Sequence, residues 1–141
     1  MHHSFMAEAK KTIRKALDSI GYKVYDYSSD NERYPLLKFG YSYETRYPNK
    51  TQKMKTVNIT LDIWSNNKGS AEVIEIAHRV EDMLDHHQGI NSNNYNVIGI
   101  TVGTIEVLEE DQKVNGANMN KKLYHGVLPI EILMMEVQQD A

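Results

Sequence analysis

Cysteine is absent from the 141-residue chain. Without cysteine the chain has no disulfide, no thiolate nucleophile and no cysteine-based zinc site, and it is compatible with a reducing cytoplasm. A large excess of one charge sign is also missing, because the formal net charge is only -3. Clustered Lys and Arg bind DNA and anionic lipid, so any contact with nucleic acid would have to come from a local patch.

Long hydrophobic runs are missing as well. No stretch approaches the roughly 20 apolar residues that a membrane-spanning helix needs. The first six residues contain no basic region followed by an apolar run, so we expect neither a signal peptide nor a membrane anchor, and no membrane partner. With 40% hydrophobic residues, the chain is expected to form a single domain over residues 1–141 with one core.

The sequence also lacks catalytic signatures. No serine stands in a nucleophile elbow, and Gly99 and Gly103 are spaced along a predicted strand rather than at the strand-to-helix turn of a phosphate loop. His78, Asp82 and His86 recur every four residues of a predicted helix, but they spread over about 12 Å of its length and cannot share one ion. We therefore expect no enzyme, no catalytic residue, no cofactor and no metal site.

What the sequence does contain is a strand, a turn and a helix in close succession. The predicted strand covers about residues 55–65, where apolar residues alternate with polar ones and with Trp64. After a polar turn, apolar residues recur at helical spacing over about residues 70–86: Val73, Ile76, Ala77, Val80, Met83 and Leu84. The change of period from 2 to 3.6 predicts a strand with one buried face and an amphipathic helix. Trp64 falls on the opposite face, which is either partly covered or meets a partner.

Similar patterns cover most of the remaining chain. They predict a helix that ends at Gly21 and four further strands, with approximate bounds of 4–20 for the helix and 22–27, 36–45, 95–108 and 123–137 for the strands. Strands joined by short turns pair antiparallel. The sequence thus predicts an α+β fold, a mostly antiparallel sheet of about five strands with two helices packed on one face.

Some local features carry predictions of their own. Residues 46–53 are expected to be the exposed tip of a hairpin, whereas residues 109–122 have almost no apolar period and are predicted to form a long flexible loop. Gly99 and Gly103 indicate a bulge or a close backbone approach, and Pro129 indicates a bulge or an edge position for the last strand.

The sequence resembles a known family. The resemblance is carried by the first helix, by a tyrosine-rich extended region that begins Pro-Leu-Leu at residue 35, and above all by residues 57–65, Val-Asn-Ile-Thr-Leu-Asp-Ile-Trp-Ser. Residues 71–84 follow as Ala-Glu-Val-Ile-Glu-Ile-Ala-His-Arg-Val-Glu-Asp-Met-Leu. Together these segments are similar to the tail-completion proteins of long-tailed bacteriophages and prophages, also called tail terminators or head-tail joining proteins. The resemblance covers roughly residues 5–137, and its specific part is residues 55–85.

The resemblance implies a structural virion protein without catalytic residues or cofactor. Such a protein caps the head-proximal end of the tail tube, ends tube polymerisation and joins the tail to the head connector. It implies a homo-oligomeric ring, expected to be a hexamer, whose partners are the major tail tube protein and the head-tail connector or stopper protein. DNA would only pass through the lumen. The protein would be found in the virion tail, and in the host cytoplasm during assembly.

A ring needs two different contact patches on each subunit. We expect these contacts in residues 46–55, in residues 109–122 and at Trp64, with the individual candidates Arg46, Tyr47, Lys50, Lys53, Trp64, Asp111, Lys113, Asn115 and Asn118. Negative charge at residues 109–111 would keep DNA from adhering if this segment bordered the lumen, and a solvated loop is the other interpretation.

The tyrosines leave an alternative open. Six of the nine lie in the first two predicted strands or just before them: Tyr22, Tyr25, Tyr27, Tyr34, Tyr41 and Tyr43. Tyr47 follows the second strand. Tyrosine suits a half-buried strand, but it also suits an interaction surface because it covers a large area with few rotatable bonds. The alternative function is therefore a small, monomeric cytoplasmic module that binds a protein or peptide through its tyrosine-rich strands.

Overall fold

A computed structural model describes residues 4–26, 33–48, 53–86, 94–114 and 117–137. The elements in chain order are α1 (Phe5–Asp18), β1 (Val24–Tyr25), β2 (Leu36–Tyr47), β3 (Met54–Ser65), α2 (Ala71–Asp85), β4 (Tyr95–Val102), β5 (Glu106–Val114) and β6 (Ala117–Glu136). The predicted α+β class is confirmed. Neither helix of the described ranges is long and apolar enough to cross a membrane.

The strands form one sheet in the order β1-β2-β3-β6-β4, and β5 also pairs with β6. All pairs are antiparallel except β1 with β2, which is parallel and joins Val24 to Leu37 and Tyr25 to Lys38. The expectation that sequential strands pair antiparallel is wrong for this pair. A parallel pair needs a connection that crosses back along the sheet rather than a tight turn.

The centre of the sheet is the pair β3 and β6, which runs in unbroken register from Met54 opposite Met135 to Ser65 opposite Tyr124. Alternate residues of both strands are buried on one face, which we call the inner face: Val57, Ile59, Leu61, Ile63, Leu128, Ile130, Ile132 and Met134. The period-2 pattern predicted for residues 55–65 is therefore confirmed.

Both helices cover the inner face and share one core cluster with it. The side chain of Ser4 begins α1 by accepting a hydrogen bond from the Ala7 N–H at 3.2 Å. Gly21 ends it, as predicted, with φ of +89°. The Tyr22 N–H then donates to the Leu17 carbonyl at 2.9 Å, and the Gly21 N–H donates to the Asp18 carbonyl at 3.0 Å. This pair of bonds satisfies carbonyls that the helix end would otherwise leave unpaired.

Helix α2 lies very close to the sheet at Gly126. This glycine pairs with Ile63 on the inner face, and a Cβ placed on it would lie 2.6 Å from Cγ1 of Val73. Only a residue without a side chain leaves room for the helix at this position.

Two predictions for the second half of the chain are wrong. Residues 95–108 form two strands rather than one, with a break at 103–105, and the supposed loop at 109–122 is a hairpin in which β5 pairs with β6 from Glu106 opposite Val127 to Val114 opposite Ala117. Pairing of β6 with β3 ends at Tyr124. We call the part of the hairpin beyond this point, residues 110–114 and 117–123, the arm.

The edge position predicted from Pro129 is also wrong, because β6 lies between β3 and the β4–β5 pair. The Gly103 N–H donates to the Pro129 carbonyl at 2.8 Å. In an antiparallel strand the N–H and C=O of one residue face the same neighbour, so the N–H that proline lacks would face the break between β4 and β5. The predictions for the glycines are confirmed, since the register shifts between Val97 and Gly99 and a Cβ on Gly103 would lie 3.1 Å from Pro129.

Candidate functional site

The turn that follows β3 is organised by Ser65, which is completely buried. Its hydroxyl donates to Oε1 of Glu72 in the first turn of α2 at 2.6 Å and accepts a hydrogen bond from the Asn67 N–H at 3.1 Å. The serine of the Trp-Ser pair therefore fixes the end of β3 relative to the start of α2. It also leaves the neighbouring Trp64 on the outer face, the side of the sheet opposite the helices.

On the outer face, the indole of Trp64 stacks on the imidazole of His125. The two residues are directly opposite in the register of β3 and β6, and their rings lie 3.8 Å apart at an interplanar angle of 9°. Leu36 and Leu123 lie on the same face and are buried, although they are not part of the main core. This end of the outer face is therefore partly covered, the first of the two interpretations that the position of Trp64 left open.

His125 is held between two carboxylates. Its Nε2 lies 2.7 Å from Oδ1 of Asp62 on β3, and its Nδ1 lies 3.7 Å from Oε1 of Glu110 on β5. The side chain is 14% exposed, and its Nδ1 is buried without a hydrogen-bond partner in the described structure. Gly40 on β2 makes room for Asp62, because a Cβ there would overlap Oδ2 of that carboxylate.

The environment of His125 favours the imidazolium form. Burial by itself lowers its pKa, but the hydrogen bond to Asp62 and the negative charges of Asp62 and Glu110 outweigh burial, so the net pKa is raised above 6.5. A cation there attracts one carboxylate on β3 and one on β5. His125 thus connects three strands at the base of the arm.

Sequence reasoning missed this cluster. The alternation in β3 does place Asp62 and Trp64 on one face, which was the only available signal. His125 is 63 residues from Asp62, and no local pattern marks it or Glu110 as their partner.

The arm carries the second group of predicted contact residues. Asp111 forms an ion pair with Lys122, its neighbour across the hairpin, and this hydrogen bond and the charge of Asp111 raise the pKa of Lys122. Lys113 is opposite Asn118 in the register, and Asn115 lies outside the described residues. Since Glu110 faces His125 and Asp111 faces Lys122, two of the three carboxylates at 109–111 have a cationic neighbour.

The remaining predicted contacts lie at the other end of the sheet. Residues 46–53 do connect a hairpin, and β2 extends to Tyr47, which is opposite Met54. Arg46, Tyr47 and Lys53 are exposed there, whereas Lys50 lies outside the described residues. The 12 residues of β3 separate this end from the base of the arm by about 36 Å. The predicted contact residues therefore occupy two distant places, and their role as a partner interface stays a prediction.

The tyrosines divide into two groups. The hydroxyl of Tyr22 accepts a hydrogen bond from Nη1 of Arg79 on α2 at 3.1 Å, and its ring packs against the core. Tyr41, Tyr43 and Tyr47 on β2 are exposed, and Tyr41 and Tyr43 lie with ring centroids 5.5 Å apart. Among the tyrosines that the structure describes, this second group has the exposed rings.

The helix face with His78, Asp82 and His86 is exposed. The Nδ1 of His86 donates to the Asp82 carbonyl at 2.7 Å, and this bond and the negative charge of Asp82 raise the pKa of His86. A positively charged imidazole is favourable at a helix C-terminus, where the helix dipole is negative. Over the residues that the structure describes, no group of three or more His, Asp or Glu side chains is placed to hold a metal ion.

Comparison with known proteins identifies the group to which the chain is related. Residues 9–134 match the family described as Tail completion protein gp17. The fold is similar to a chain in the virion of a native gene transfer agent particle, with a TM-score of 0.71 and 14% identity, covering 96% of this chain and 100% of that one. Among curated protein sequences none matches. Since the family match spans most of the chain, the protein belongs to the tail completion protein gp17 family and is a structural protein of a phage-type tail.

Proposed function

We propose that the protein caps the head-proximal end of a phage tail tube, ends tube polymerisation and joins the tail to the head connector. It acts as a homo-oligomeric ring, expected to be a hexamer, in contact with the major tail tube protein and with the connector or stopper protein. DNA passes through the lumen of this ring. The observation that carries the proposal is the match to the tail completion family over residues 9–134.

The distribution of the candidate residues supports this proposal. One group lies at the tip of the β2–β3 hairpin and the other on the arm, at opposite ends of the sheet. A ring between a tube and a connector has to contact a different protein on each of its two sides. A subunit with separate polar projections at its two ends meets this requirement without any rearrangement of its core.

We further propose that the protein is not an enzyme, that it needs no cofactor, and that residues 1–141 act as a single domain. Catalysis would need a pocket with converging titratable groups. The partly buried imidazole of the cluster described above, His125, already has both carboxylates arranged around it. It is expected to stabilise the base of the arm and not to react with a substrate.

The test is electron microscopy of tails assembled with and without the protein. Omission should give overlong tails, or tails that do not join heads, and reintroduction of the wild-type gene should restore normal particles. Mass measurement of completed tails would give the number of subunits. Normal, joined tails without the protein would refute the proposal, and the alternative binding module with the exposed tyrosines of β2 would then take its place.

A shortened variant sharpens the test by separating folding from assembly. In this variant residues 111–122 are replaced by Asn-Gly, which favours a tight two-residue turn. Because the core cluster of the described residues contains no member of the arm, the variant should fold but fail to complete tails. The exposed Lys11→Ala change on α1 serves as a matched control and should leave tails normal.

A further inference from the structure

The two helices carry opposite charge. Helix α2 contains five acidic residues and one basic residue, which gives a formal charge of -4 with histidine neutral, whereas α1 contains four basic and two acidic residues and has a formal charge of +2. On the inner face the helices lie side by side, α1 over β1 and β3 and α2 over β3, β6 and β4. The basic helix is therefore on the β2 side of the subunit and the acidic helix is on the β4 side.

The side of α2 that faces away from α1 is exposed. Arg79 marks the side that faces α1, because its guanidinium donates to the hydroxyl of Tyr22 just after that helix. A helix turns by about 100° per residue, so Ile74 and Glu81 project away from α1 and, being seven residues apart, form one stripe. We call this stripe the α2 flank. Ile74 is 42% exposed, and a shallow groove of about 540 Å³ is lined by both residues.

The negative charge of α2 is incompletely balanced within the subunit. Among the described residues, Glu75 and Glu81 have no ion-pair partner. The last turn of α2 contains no Lys or Arg, although cations are favourable at a helix C-terminus. Asp82 lies in this turn and has the exposed imidazole of His86 at 3.5 Å. A cationic group from another molecule would therefore improve the electrostatics of this helix.

The side of α1 that faces β2 carries the complementary charge. Lys10 and Arg14 are one helical turn apart, and each lies over the ring of Phe39 on β2, 5.7 Å from its centroid. We call this stripe the α1 flank. Lys10 forms an ion pair with Asp26 at 3.2 Å, whereas Arg14 has no carboxylate partner in the part of the chain that the structure describes.

The two flanks are at similar heights in the subunit. Helix α1 begins where Phe5 packs on Tyr95, and it ends beside Arg79 in the middle of α2. Tyr95 is level with the start of β3, whereas α2 begins after the end of β3. Helix α1 therefore runs alongside the C-terminal half of α2. Arg14 is level with this half, which contains Glu81.

We propose that the α2 flank of one copy packs against the α1 flank of the next copy, with Glu81 facing Arg14. The partner is thus a second copy of this chain, selected by charge: α2 against α2 would bring carboxylates together, and α1 against α1 would bring cations together. Two different flanks that meet head to tail form a closed ring when the rotation is repeated. This inference rests on the proposed ring function and specifies which surfaces of neighbouring subunits meet.

Charge reversal tests this contact. Arg14→Glu and Glu81→Arg each place like charges across it, so either change alone should lower the fraction of tails joined to heads by about tenfold or more. The double variant R14E/E81R restores the pair with reversed polarity and should recover joined tails to near the wild-type fraction. The matched control is Lys11→Glu, the same change of charge at an exposed position of α1 outside the α1 flank, which should leave tails normal.

A second measurement does not depend on charge reversal. The chain has no cysteine, so introduced thiols report the contact directly. Tails completed with a mixture of R14C and E81C chains should yield linked dimers after mild oxidation, and these should separate on reduction. Either variant alone should stay unlinked. Extensive linkage of R14C with itself would show a two-fold contact and would overturn the proposal.

The two levels of the proposal fail in different ways. Thermal unfolding of the purified variants identifies any that do not fold. A folded R14E/E81R variant that leaves tails unjoined, single reversals that join tails normally, or mixed cysteine chains that are incorporated but unlinked would each refute the contact between the two flanks and leave the tail-completion function standing. Normal, joined tails in the absence of the protein would refute the function itself.

Discussion

The two parts of β6, residues 117–123 and residues 124–136, are both β-strand but have different surroundings. Residues 124–136 lie between β3 and the β4–β5 pair, with the side chains of one face buried beneath the helices. In the arm, residues 117–123 have β5 as their only strand neighbour in the described structure. An isolated two-stranded hairpin is marginally stable in water. The comparison indicates that residues 124–136 stabilise the fold, whereas contacts of residues 117–123 with other molecules remain our proposal.

The largest loss of stability is expected from a cavity under the helices. Ile130→Ala removes a fully buried side chain from β6 and should lower the free energy of unfolding by about 2–5 kcal/mol. Urea unfolding followed by circular dichroism would measure it. The neighbouring Glu131→Ala, whose side chain is exposed, is the matched control and should change stability by less than about 0.5 kcal/mol. Equal effects of the two changes would contradict the assignment of the two faces.

A smaller loss is expected where α2 approaches β6. Gly126→Ala places a methyl group 2.6 Å from Cγ1 of Val73, so the helix or the side chain has to move, at a cost of about 1–3 kcal/mol. Gly103→Ala, where the nearest atom is 3.1 Å away in a proline ring, should cost less. Thermal unfolding of both variants would test this order, and a more stable G126A variant would show that the close packing has been misjudged.

The base of the arm should give a pH-dependent effect. The pKa of His125 is raised in the folded protein, so its contribution to stability is fully present below the unfolded pKa of about 6.5 and is lost as the pH rises through the folded pKa. His125→Gln should therefore destabilise the protein by about 1–2 kcal/mol near pH 6 and by less at higher pH.

The measurement is chemical unfolding of wild type and H125Q at several pH values between 6 and 9. The exposed His78→Gln variant controls for loss of an imidazole without these partners. A difference between wild type and H125Q that grows as the pH rises would contradict the pairing with Asp62 and Glu110.

The smallest effect is expected in the arm itself. Lys122→Ala removes an ion pair between two exposed side chains, and solvent screening leaves such a pair with little net effect on stability. The unfolding midpoint should hardly move, and any shift should diminish in high salt. A loss as large as that of I130A would show that the arm is part of the stabilising core after all.

Much of the fold could be predicted from the sequence because only one face of the sheet, the inner face, is buried beneath the helices. Period 2 over β3 and helical spacing over α2 follow directly from which residues contact the core, and Gly21 marked the end of α1. The arm could not be predicted in this way, because its sequence has almost no apolar period although its backbone pairs as a hairpin. Its residues therefore have the composition of a loop.

The pairing of strands across the sheet also could not be predicted from the sequence. Pro129 can lie in the second central strand because the N–H that it lacks would face the break at 103–105. The sequence of that break does not indicate where it lies relative to β6. The candidate contact residues could be chosen only as polar or aromatic residues in predicted loops and, for Trp64, on the polar face of a predicted strand. The link between Trp64 and His125 depends on register between strands that are far apart in the chain, so no spacing reveals it.

The continuity of β6 has a mechanical consequence. The strand is 20 residues long, about 65 Å at the usual rise per residue, and it runs from the arm into the centre of the sheet. A force that pulls the arm along this strand acts parallel to β6 and perpendicular to its hydrogen bonds with β3. The twelve residue pairs of that ladder must then slide together and cannot open one after another. A load on the arm is thus carried directly by the most deeply buried part of the subunit.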